Sequence, residues 1–207
     1  MDIKEIQAAL GVRPDGAIGP VTTAALVAAV KAGRVTVGPE LAAAELPWMK
    51  IARGYLGERE IKGPDDNARI VELFAKAGHA WVKDDETAWC AAFVGGVLAQ
   101  AGLPGTGSLA ARSYEGWGLA LTGPVYGCVG VKTRAGGAAW QGHVGFVVGA
   151  NEREVILLGG NHGDAVSIAA FPRKDFTAFR YPPGFDPAKA SPLPASVAGA
   201  KSAVTES

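Results

Sequence analysis

Cys90 stands in the octet TAWCAAFV at the head of an apolar run, and the chain holds three histidines able to serve it: His79, His143 and His162. A thiol with a reference pKa of about 8.5 is only a few per cent thiolate at neutral pH. A helix start favours the anion by roughly 0.3–1 kcal/mol. A shift of two pKa units is worth about 2.7 kcal/mol, so the dipole alone does not activate Cys90 and a partner imidazole is needed. Thr87 or Asp85 is expected as N-cap, which puts Cys90 in the first turn. The competing reading is a small buried hydrophobe, since free cysteine is among the most buried residue types.

A base for Cys90 should sit on rigid structure, and a strand facing the cysteine helix meets that need. His143 opens such a strand in HVGFVVG, where alternation puts His143, Gly145 and Val147 on one face and Val144, Phe146 and Val148 on the other. His79 lies in the loop before the cysteine helix, and His162 follows LGGN. A third polar group should orient the imidazole. Asn161, at the end of VILLGGN, lies beside the start of the His143 strand if the two strands form a hairpin. Asp164 and His162 are rivals in the same loop, and an asparagine after two glycines also suits a left-handed turn. Cys90, Cys128, His143 and His162 lack the close pairing of zinc ligands, so neither metal nor cofactor is expected.

The elements that must position these residues change character along the chain. Residues 1–37 read as two short helices around RPDGAIG, with Ile3, Ile6 and Leu10 at helical spacing. Residues 38–46 form a linker punctuated by Pro39. Residues 47–182 form the main domain: a helix ending near Gly57, a second capped by Asp66 or Asn67, and an all-round apolar third carrying Cys90. From Pro124 onward VYGCVGVKT, HVGFVVG, EVILLGG and AVSIAAF read as short strands at hairpin spacing. Helices first and strands afterwards predict an α+β domain, an antiparallel sheet with helices on one face. Residues 183–207, rich in Pro, Ala and Ser, are expected to be a disordered tail.

Composition narrows the class. With 48% hydrophobic residues, most of the 207-residue chain should fold around a core. Lys+Arg and Asp+Glu both total 20, so no basic surplus points to nucleic acid or an anionic membrane. No stretch approaches the roughly 20 apolar residues of a membrane span, and the amphipathic start MDIKEIQAALG does not read as a signal peptide. Synthesis in the cytoplasm, reduced cysteines and a monomer are the expectations.

WCAAFV on a helix, GHVGFVVG on a later strand and then GGN resemble the cysteine peptidases of the bacterial cell wall, the NlpC-type and CHAP families, which have a papain-like fold. The likeness spans about Pro47 to Pro182 and includes Glu60 and Gly63 in GEREIKGPDDN. It implies Cys90 as nucleophile, His143 as base and Asn161 as third member, with Trp89 and Glu60 near the substrate. One departure is Cys128 in YGCVG, where the families usually carry Asp; it reads as a strand-core residue. Residues 1–37 are similar to a small peptidoglycan-binding repeat, matching at Gln7, Leu10, Asp15, Gly16, Gly19 and Thr22, and the resemblance implies wall contact around Asp15, Gly16 and Gly19.

The resemblance implies an endolysin-like peptidoglycan hydrolase that cuts a wall amide through an acyl-enzyme, as endopeptidase or N-acetylmuramoyl-L-alanine amidase, released through a holin-type pore or a dedicated machine. Two other classes compete: a non-catalytic wall-binding phage virion component with a degenerate hydrolase fold, and an acyltransferase on the same scaffold. The first is separated by the effect of Cys90→Ala, the second by amine-dependent product.

Overall fold

The computed structural model describes residues 3–16, 20–31, 45–134, 136–138 and 140–202. The chain divides into two compact units, Met1–Ala44 and Glu45–Ser207. Most of the expected linker, residues 38–44, lies outside the described residues, as does Gly19.

The first unit contains α1 (Ile3–Ala9) and α2 (Pro20–Lys31). Its polar centre is Gln7, which is fully buried. The Gln7 amide donates to Asp15 Oδ1 at 2.7 Å and to Thr22 Oγ1 at 3.0 Å, and its oxygen accepts from the Gly16 N–H at 2.8 Å. A buried amide must have such partners. The Gln, Asp-Gly and Thr positions are therefore an internal lock. Asp15 and Gly16, expected at a binding surface, are engaged in holding the loop, with Gly16 at φ 80°.

The second unit is α+β, as helices followed by strands predict. Its helices are α3 (Pro47–Arg53), α4 (Ala68–Lys76) and α5 (Cys90–Gln100), followed by a 3-10 segment at Ala111–Gly116. Its strands are β1 (Leu119–Leu121), β2 (Val129–Thr133), β3 (Gly142–Ala150), β4 (Glu154–Gly159), β5 (Ser167–Pro172), β6 (Phe176–Tyr181) and β7 (Lys201–Ser202). They form one sheet in the order β1-β6-β2-β3-β4-β5-β7, antiparallel except for the β5–β7 pair. Among the described residues no helix is long and apolar enough to cross a membrane.

The β2–β4 core of the sheet matches the sequence pattern, whereas β1, β6 and β7 do not stand out in it. β6 inserts between β1 and β2, so its pairing is long-range and leaves little local trace. Residues 183–202 correct the expected disordered tail. The Ala150 N–H donates to Pro194 O at 2.9 Å, Leu193 and Val197 pack on the core, and Lys201–Ser202 pair with β5. The segment is poor in large apolar residues, but an open sheet edge supplies the backbone partners it needs.

The helices sit where their sequences require. Asn67 caps α4, its Oδ1 accepting from the Arg69 N–H at 2.9 Å. α3 stops at Arg53, short of Gly57, and Gly54 follows in turn geometry. Trp48 of α3 donates to Gly127 O at 2.8 Å and meets Tyr181 edge-on, tying the helix to the turn before β2 and to β6. α5 is buried from Cys90 to Leu98, as its all-round apolar sequence demands.

α4 approaches α5 at Gly96, where a Cβ would lie 2.8 Å from the Leu73 carbonyl oxygen. Gly96→Ala gains up to about 1 kcal/mol of helix propensity but drives a methyl into backbone, an overpacking cost of about 1–3 kcal/mol. The variant is expected to be net destabilised, read as a lower urea midpoint at unchanged slope.

Candidate active site

α5 begins at Cys90, one residue after Trp89, and no side chain caps it. This corrects the expected caps. Thr87 bonds instead to Asp84, whose Oδ1 accepts from both its N–H and its hydroxyl. Asp85 is fully buried and its Oδ2 accepts from the Ile61 and Asn67 N–H groups at 3.0 and 2.8 Å, which pins residues 61–67. The helix N-terminus, with its partial positive charge, therefore falls on the thiol residue itself.

Trp89 and Glu60, expected to touch substrate, are turned inward. Trp89 is fully buried, and its indole N–H donates to Glu60 Oε1 at 2.7 Å. Burial pushes the Glu60 carboxyl up, the Trp89 bond opposes this, and negative charge at Asp164, Asp85 and Glu86 adds to it. The pair holds the start of α5 against residues 58–60, which bond to the backbone of residues 164–166.

His143 and His162 are each almost fully buried, and their Nε2 atoms lie 2.6 Å apart. The tautomers follow from the partners. His162 Nδ1 lies 3.0 Å from Ser167 O. A carbonyl only accepts, so His162 carries its proton on Nδ1. Burial pushes its pKa down to about 4, so at neutral pH its Nε2 is a bare acceptor. His143 must then donate from Nε2–H, which leaves its own Nδ1 as the basic nitrogen. His143 is likewise held well below the usual imidazole range, by burial first, then by His162, Lys132 and Arg134.

His162, the rival, is thus the group that meets His143 Nε2. Asn161 is buried with φ 60°, the left-handed turn that its place after two glycines suggested. Asp164, also at φ 60°, gives its carbonyl to the Glu60 N–H. His79 stacks edge-on against Trp81.

Sequence reasoning missed Lys132. It lies opposite His143 in the β2–β3 register and is 1% exposed. Its ammonium donates to Thr133 O at 2.7 Å and sits 4.9 Å from the centre of the Phe171 ring, which touches both imidazoles. A cation so placed disfavours an imidazolium beside it. The hairpin register, once drawn, would have revealed the pairing.

Two consecutive glycines separate the layers of the site. A Cβ at Gly159 would lie 2.7 Å from His162 Nε2, and one at Gly160 would lie 2.4 Å from the Trp89 ring. Phe93 of α5 packs on Phe146, so the body of the helix covers the Val144–Phe146 face and not the His143 face. The strand faces the Cys90 helix as expected, but through the Val144–Phe146 face. Cys90 and His143 come together at the end of the sheet, where both line one cleft of about 140 Å³ with Ala88, Ala110, Ala111 and Gly142. A larger open hollow of about 530 Å³ beside α4, between Asp66 and Lys83, holds no cysteine or histidine.

Neither cysteine is in a disulfide. Cys128 is fully buried just before β2, and burial pushes its thiol up to about 12. It is an inert core residue, as read from the sequence. Among the described residues, no group of three or more His, Cys, Asp and Glu is arranged to hold a metal ion. No family model, curated protein or solved structure matches the chain.

The buried imidazoles couple stability to pH. The unfolded value is about 6.5 and His162 is held at about 4, so the unfolded chain binds more protons between them. The contribution is complete above pH 6.5 and is lost as pH falls toward 4. The thermal midpoint is expected to fall over that interval, and to fall less in His162→Gln; an equal fall in both proteins would contradict the assignment.

Proposed function

We propose that the second unit is a papain-like thiol hydrolase that cuts an amide of the bacterial cell wall. The observation that carries this reading is the ordered chain of Ser167 O, His162 and His143 ending at a cleft shared with Cys90. A structural histidine pair would need neither a defined free nitrogen nor a thiol at the same cleft. The likeness of WCAAFV, GHVGFVVG and GGN to NlpC-type and CHAP peptidases supplies the substrate class.

The steps balance as follows. The Cys90 thiol gives its proton to His143 Nδ1, and the sulfur attacks the amide carbonyl carbon. The N–H groups at the start of α5 stabilise the oxyanion. The His143 imidazolium keeps its Nε2–H bond to His162, a bond that strengthens as the donor becomes charged. The tetrahedral species collapses, the C–N bond breaks, and Nδ1–H protonates the leaving amine. Water then attacks the thioester, giving a proton to His143 Nδ1. The acid leaves, and the proton returns to the Cys90 sulfur.

In this reading residues 1–37 retain the enzyme on its insoluble substrate. Their similarity to a peptidoglycan-binding repeat supports that role, and the Gln7 bonds fix the shape of the Asp15–Gly16 loop.

Cys90→Ala and His143→Ala are each expected to abolish release of soluble fragments from purified walls, because the pair acts as a unit. His162→Ala should cost roughly 10²-fold or more in kcat by releasing the tautomer, with partial recovery in His162→Gln, which restores an acceptor. Normal lysis by Cys90→Ala would end the proposal. Mass spectrometry of the released muropeptides identifies the bond. Deleting residues 1–37 should lower the bound fraction in a wall pull-down without loss of the folded second unit.

A further inference from the structure

An ammonium in a buried strand is costly, because it gives up its water. Lys132 carries one on β2, after the buried Val129, Gly130 and Val131. It pairs with His143 across the β2–β3 register, so the two side chains share one face of the hairpin. Its Nζ donates to Thr133 O at 2.7 Å and lies 4.9 Å from the centre of the Phe171 ring. That buried ring packs on both imidazoles, with its centre 5.7 Å from that of His143 and 5.2 Å from that of His162. Phe171 thus gives the ammonium a seat by its π-face and holds it beside the pair.

Other charges reach the pair from the elements around it. Arg134, in the loop after β2, acts on His143, and Lys201 of β7 acts on His162, whereas Lys132 acts on both. Arg134 is half-buried and Lys201 is exposed, so solvent screens them more than it screens Lys132. Arg112 of the 3-10 segment lays its stem over Gly142 and is paired with Glu115 at 2.9 Å. Cys90 of α5 meets His143 at the cleft, and Asp164, in the turn after His162, adds its negative charge at Glu60. β5 contributes Phe171 and the Ser167 carbonyl, and β6 sets Phe176 opposite Lys132.

We infer that Lys132, seated on Phe171, is a positioning residue that keeps the His143–His162 pair unprotonated and so sets the acid limit of the reaction, by leaving His143 able to take the Cys90 proton. The inference rests on the hydrolase reading for the reaction. It goes further by giving a role to a residue that does not line the cleft. The sign follows from charge. An imidazole that gains a proton beside an ammonium becomes a second cation, so replacing Lys132 by a neutral residue makes protonation easier. The base is then lost at a higher pH. Because burying an ammonium costs free energy, Lys132→Met is expected to be at least as stable as the unmodified chain.

The test uses the full chain with isotope-labelled histidine, and follows the ring nitrogen signals of His143 and His162 by NMR from neutral pH down to acid unfolding. In Lys132→Met the pair is expected to protonate roughly one pH unit higher than in the unmodified chain. Lys132→Gln, neutral but still able to donate to Thr133 O, should behave as Lys132→Met, which separates the charge from the hydrogen bond. Lys132→Arg keeps the charge and should titrate close to the unmodified chain. The acid limb of the initial rate of wall lysis should move up by the same interval in the two neutral variants and return in Lys132→Arg. A merely structural role would lower the rate at every pH and leave the limb in place. Unshifted titration in both neutral variants overturns the inference, as does an acid limb that stays in place while walls are cut. The titration needs no turnover, so the two proposals are read separately: lysis with unshifted titration removes this inference alone, and shifted titration without lysis removes the hydrolase reading while the hold of Lys132 on the pair stands.

Discussion

The Ser167 carbonyl oxygen is the fixed point of the site. It can only accept, so it decides which nitrogen of His162 bears hydrogen, and through the 2.6 Å contact it decides the same for His143. A backbone oxygen in a sheet is a rigid determinant, since it cannot rotate away or change protonation. Burial reinforces it by keeping both rings neutral. Lys132 adds to this from the neighbouring strand, where its ammonium is held over Phe171. The imidazole pair is therefore defined by its surroundings before any ligand arrives.

Much of the unit serves to bring a helix end to that pair. Trp89 anchors the start of α5 on Glu60, and Asp85 pins the loop that carries Glu60. The sheet separates the imidazoles from the tryptophan by a single backbone layer, and Gly159 and Gly160 leave room for one ring on each side. A side chain at either glycine would push the histidine or the cysteine helix outward.

The two thiols show how environment assigns chemistry. Cys128 is enclosed before β2, and desolvation pushes it up to about 12. Cys90 stands at a helix N-terminus on a cleft shared with His143. The residue type is the same, and of the two only Cys90 lines a cleft.

What the sequence by itself determined is what local pattern encodes. The apolar circumference of the Cys90 helix, the Asn67 cap, the alternation in HVGFVVG and the Asp-Gly loop of the first unit are all near-neighbour effects, and each appears where it was read. Cys90 and His143 were legible as a candidate pair because a helix start and a strand start are both marked by local pattern. Tertiary structure alone decided the rest. It placed His162 on His143, with the neighbouring Asn161 buried at φ 60°. It turned Trp89 and Glu60 toward each other, brought Lys132 opposite His143, and laid residues 183–202 along the sheet edge. These are long-range pairings, fixed by strand register and by which buried polar groups must find partners, and such constraints exist only once the sheet has closed around them.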